Sequence, residues 1–64
     1  GRGGEARSVR QLGTDAGLVV FVDLALDPGA TLAEAHRLAS EIEEDLRREQ
    51  PAIADVVIHT EPLE

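Results

Sequence analysis

The residues with the most chemical capacity in this chain are two histidines and a few carboxylates. His36 and His59 are the only imidazoles, Glu61 lies two residues beyond His59, and Asp23 interrupts an otherwise apolar run, Leu18 to Leu26. Neutral imidazole is a good ligand for borderline divalent ions and carboxylates neutralise their charge, so an N/O set of this kind suits Zn²⁺ or a similar first-row ion. Spacing alone leaves other readings open: either histidine serves equally as a surface or packing residue, and Asp23 as a solvent-facing strand position. A carboxylate within an apolar strand still needs a partner, an exposed face or a metal.

Three apolar segments must position these groups. Arg7 to Leu12 is a weak strand with only two apolar residues in support, and Gly13 to Gly17 reads as a hairpin loop whose glycines can take positive φ. Leu18 to Leu26 is the strongest strand. Its alternation puts Leu18, Val20, Val22, Leu24 and Leu26 on one face and Val19, Phe21, Asp23 and Ala25 on the other. Asp27-Pro28-Gly29 ends it. Thr31 and Glu34 form a T-x-x-E capping box, and Leu32, Ala35, Ala39, Ile42 and Leu46 recur at helical spacing, so a helix is predicted over 32–49. Pro51 stops it, and the β-branched run Asp55 to Glu61 follows as a last strand before Pro62.

The order is β-β-α-β. A right-handed crossover makes the last two strands parallel and lays the helix over one face of the sheet. It also brings the start of the helix, with His36, to the end of the molecule where His59, Glu61 and Asp23 finish their strands. Two imidazoles and two carboxylates are therefore expected to converge there. The second sheet face, carrying Val19 and Phe21 or their neighbours, stays uncovered, which points to association. Alternation alone does not decide whether His59 and Glu61 share the helix side or the open side.

Composition removes several function classes. The chain has 64 residues, enough for one domain of marginal stability that a ligand or second subunit would support. Thirteen acidic residues against six arginines and no lysine give a net charge of −7, which repels phosphate backbones and anionic lipid. Nucleic acid is not an expected partner. With no cysteine, thiolate metal sites and disulfides are excluded. The longest apolar run, Leu18 to Val22, is far short of the ~20 residues of a membrane span, so direct membrane insertion is not expected. Ser8 and Ser40 are the only serines and lie in no nucleophile motif, and a chain this small has little room for a substrate cleft, so no enzyme is expected. Residues 1–4 read as a disordered leader or an expression remnant, and residues 5–64 as the domain.

The helix segment Ala33-Glu34-Ala35-His36, followed by Asp55-Val56-Val57-Ile58-His59-Thr60-Glu61-Pro62, resembles the C-terminal domain of cation diffusion facilitators. Val9-Arg10-Gln11-Leu12-Gly13 and the Leu18 to Leu26 strand are similar to that family as well. The resemblance implies an α/β, metallochaperone-like (ferredoxin-like) open-faced sandwich on the cytoplasmic side of the membrane. This fragment would be soluble, form a homodimer, sit beneath the transmembrane domain of a parent efflux transporter, and not transport by itself.

Matched positions imply the ligands His36, His59, Glu61 and Asp23, with Zn²⁺ as the first choice and other divalent transition-metal ions as alternatives. Metal binding would tighten the dimer. Three departures stand out: Asp23 replaces a frequent histidine, Glu5 occupies a further ligand position, and the helix that usually opens the domain is missing. The competing readings are a metal-independent dimerisation domain and a ferredoxin-like regulatory domain for a small ligand.

Overall fold

The computed structural model describes residues 3–63. Strand β1 (Gly4–Thr14), strand β2 (Gly17–Leu26), helix α1 (Leu32–Glu49) and strand β3 (Ile53–Pro62) follow in that order. They form a three-stranded sheet in the order β1-β2-β3, antiparallel between β1 and β2 and parallel between β2 and β3. The expected β-β-α-β sandwich is thus the observed fold.

β2 lies in the middle because it alone is apolar on both faces. Val20, Val22, Leu24 and Ala25 are buried, as is Ile53 at the start of β3. Val20, Val22 and Ile53 form the core, and Ile42 and Leu46 of α1 pack on it with Leu18, Val56 and Ile58. The helix spans the predicted 32–49. Thr31 caps it: the Glu34 N–H donates to Thr31 Oγ1 at 3.1 Å and the Thr31 N–H donates to Glu34 Oε1 at 2.8 Å, satisfying two donors that a helix start leaves open. At the other end the Gln50 N–H donates to the Leu46 carbonyl, and Pro51 prevents another turn. Leu32, assigned to the apolar face by its spacing, is 88% exposed. The core contacts of α1 come from Ile42 and Leu46, about three and four turns further along.

The first strand is longer than its composition suggests. Its residues from Glu5 to Thr14 are exposed, so it is held by its hydrogen-bond ladder to β2 and not by burial. Gly4 pairs with Leu26, so the sheet begins inside the stretch read as a leader, while residues 1 and 2 lie outside the described residues. The hairpin loop shortens to Asp15-Ala16, with Thr14 paired to Gly17. Gly17 has φ +128°, and a Cβ there would meet the Ala52 carbonyl oxygen at 2.6 Å, so glycine is required both for its conformation and for its closeness to the β3 approach.

Candidate metal centre

The sheet register decides which face carries each candidate ligand. Asp23 pairs with His59, Ala25 with Glu61 and Phe21 with Val57, and directly paired residues project from the same face. The core residues Val20 and Val22 alternate with these, so Asp23, His59 and Glu61 stand on the face away from α1. Asp23 and Glu61 are half-buried and His59 is exposed.

β1 adds to the same face. Its register places Glu5 opposite Ala25 and Ser8 opposite Asp23. Ser8 Oγ donates to Asp23 Oδ2 at 2.5 Å, short as expected for a hydroxyl on a carboxylate. One row further, the Arg10 guanidinium lies 5.7 Å from the centre of the Phe21 ring, within cation–π range. The open face therefore carries a polar end of Glu5, Glu61, Ser8, Asp23 and His59. Beyond it lies a more apolar half of Phe21, Val57, Leu12 and Val19.

His36 is placed differently. It is exposed on α1, which covers the opposite face of the sheet, so the helix start and the strand ends share one end of the molecule but not one side. Within one chain the structure brings Asp23, His59 and Glu61 to one face and leaves His36 apart from them. Sequence reasoning had no access to the Ser8 contact, because Ser8 and Asp23 meet only through the pairing of β1 with β2.

The donors can be tested against a Zn²⁺-like ion, which takes four N/O ligands at about 2.0–2.2 Å. Neighbouring strands lie about 4.8 Å apart and residues two apart on one strand about 6.6 Å, distances that Asp, His and Glu side chains can close by turning toward one point. The donor types fit. As the side chains stand, no three His, Asp or Glu groups among the described residues gather closely enough to hold an ion. One face of one chain carries three of the four candidate ligands, and Glu5, two strands from Glu61 across Ala25, is a further carboxylate on that face.

A cavity of about 520 Å³ lies beside the start of α1, lined by Asp27, Glu34, Arg37 and Glu41 together with Leu38 and small residues. Thr31 holds the Glu34 carboxyl below its usual value through its backbone N–H and then its side chain, with Arg37 adding to the effect; this is the capping box at work.

A family model described as the cytoplasmic domain of cation efflux proteins matches residues 8–63. The cation-efflux pump FieF of Pectobacterium atrosepticum is 36% identical over 62 residues, 97% of this chain. The chain spans only 20% of that relative's length. Among solved structures, the metal-bound C-terminal domain of the CzcD transporter from Thermotoga maritima is similar with a TM-score of 0.78 at 26% identity, over 91% of this chain and 67% of that one. The cytosolic domain of a cation diffusion facilitator family protein has the same TM-score at 27% identity, over 92% and 70% of the two chains.

Proposed function

This chain belongs to the family of cytoplasmic domains of cation efflux proteins, and from that premise we propose that residues 5–64 are the cation-sensing, pair-forming module of a divalent-cation efflux transporter. The ion is Zn²⁺ or a similar transition-metal ion, and the ligands are Asp23, His59, Glu61 and His36. The observation that carries this reading is the row formed by Asp23 and His59, neighbours on adjacent strands, with Glu61 following on the same uncovered face.

His36 enters the set through a second copy of the chain. It shares an end but not a side with the other three, so in this reading an ion on the open face of one chain meets the imidazole of a second copy where that copy brings the helix-start end of its own sheet against it. The apolar half of that face gives the pair its contact: Val57 is 42% and Leu12 54% exposed in the single chain, and both lose that exposure on pairing.

The mechanism is linkage. An ion that binds the closed pair more tightly than the open one shifts the population toward closed, and closure strengthens ion binding by the same factor. Each chain carries a charge of −7, so bound cations also reduce the repulsion between the two subunits. In this reading His59 and His36 supply neutral donors, while Asp23 and Glu61 supply donors that cancel the ion's charge. The coupled transmembrane domain of the parent transporter receives the change in spacing.

Zn²⁺ titrated into the metal-free chain by calorimetry, with mass followed by light scattering, tests this. Saturable heat together with a shift toward dimer is expected. A metal-independent pairing domain, which the exposed Val57 and Leu12 also favour, would give the same dimer constant with Zn²⁺ or with a chelator.

A further inference from the structure

Residue Arg7 has no partner across the hairpin: Ala6 pairs with Leu24 and Ser8 with Asp23, so Arg7 is an inserted bulge residue in β1. In a regular strand, residues three apart point to opposite faces. The extra residue cancels that parity, so that Glu5 and Ser8 both reach the open face, opposite Ala25 and Asp23. A bulge that re-aims a side chain toward a cluster of candidate ligands deserves a chemical account, and the hydrogen bond it creates supplies one.

Ser8 Oγ donates its proton to Asp23 Oδ2 at 2.5 Å. With one lone pair of that oxygen engaged, Asp23 presents its unengaged Oδ1 most readily to an incoming ion, and the hydrogen bond favours one rotation of the carboxylate. A carboxylate limited to one oxygen suits small ions with four ligands. It disfavours larger, harder ions such as Ca²⁺, which take six to eight oxygens and commonly use carboxylates two oxygens at a time. We propose that Ser8 is a positioning residue that fixes Asp23 as a one-oxygen ligand and thereby biases the open-face site toward Zn²⁺-like ions over Ca²⁺. The proposal rests on the metal-binding reading above, and its test separates the two.

The chain and its Ser8→Ala, Ser8→Thr and Asp23→Ala variants are titrated with Zn²⁺ and Ca²⁺, with Co²⁺ as a coloured reporter of coordination number and circular dichroism as a check on folding. Ser8 is exposed, so its replacement leaves the fold intact. Loss of a group that orients a ligand typically costs 10–100-fold in metal affinity, so Ser8→Ala is expected to weaken Zn²⁺ binding about tenfold. Ca²⁺ binding should hold or strengthen, and the intense visible bands of four-coordinate Co²⁺ should fade. Ser8→Thr, which keeps the hydroxyl, restores all three. An unchanged Zn²⁺ to Ca²⁺ ratio in Ser8→Ala, or a loss that Ser8→Thr does not restore, overturns the role of Ser8 provided Asp23→Ala still weakens Zn²⁺. Asp23→Ala without effect on Zn²⁺ overturns the site and the proposal together.

Discussion

The two faces of this sheet share the same three strands and differ in almost everything else. On one, Val20, Val22 and Ile53 lie under Ile42 and Leu46 of the helix. On the other, one residue out of phase, Asp23, His59 and Glu61 share a face with Ser8 and Glu5, and no element among the described residues covers them. Because the strand period is two, a single chain can dedicate alternate residues to cohesion and to chemistry without either set disturbing the other. The faces are separable, and experiments that treat them separately should show it.

The largest effect expected is on the covered face. Leu24 is fully buried, and Leu24→Ala should cost about 2–5 kcal/mol, most of what a chain this small has in reserve. Thermal melts of the metal-free chain should show a collapsed or absent transition. His59→Ala, only one strand away but on the exposed side, should leave that melt within about 0.5 kcal/mol. It should nevertheless weaken Zn²⁺ binding at least about tenfold by calorimetry, since even groups outside the ligand set cost that much. His36→Ala should do the same, and unaltered affinity in both variants would reject the site.

Mixing sharpens the comparison, because it asks whether the helix side of one chain serves the open side of another. His36→Ala and His59→Ala chains, each a weak binder alone, should recover tight sites when unfolded and refolded together. Recovery limited to the sum of the two separate titrations would break the assignment of His36 to the partner's site. Val57→Asp, which puts a charge on the open face, should shift light scattering toward monomer while leaving the circular dichroism spectrum unchanged.

The smallest effects belong to the helix cap, remote from both faces' contacts. Thr31→Ala removes the acceptor for the Glu34 N–H and should cost about 1 kcal/mol. The Glu34 carboxyl is held below its usual 4.5 in the folded chain, chiefly by the Thr31 backbone N–H. Its contribution is therefore present above pH 4.5 and lost as pH falls through the lower folded value. In a pH series of denaturation midpoints, the gap between the chain and its Glu34→Gln variant should narrow only below pH 4.5.

Particular residues show how much was legible beforehand. The helix from Leu32 to Glu49 could be read to the residue because a capping box opens it and a proline closes it, both local signals. The strand carrying Asp23 announced itself by alternating apolar residues. β1 was legible only in its middle, since residues 4–6 and 13–14 carry no strand signature and are strand because β2 offers them a ladder. Leu32 was misplaced because helical spacing names a stripe but not how far along the helix the neighbouring layer extends. The candidate site was half visible: residue types and the shared end were readable, the side was not.

Sequence by itself determined the order β-β-α-β, the limits of the helix, the sign of the charge and which residues are candidate cation ligands, since these follow from local periodicity, caps and side-chain chemistry. Only the tertiary structure decided that Asp23, His59 and Glu61 face away from the helix, that His36 lies on the other side, and that a bulge at Arg7 delivers Ser8 to Asp23. Each of those depends on register, and register is a relation between strands far apart in the chain, carried by the hydrogen-bond ladder and the packing of α1.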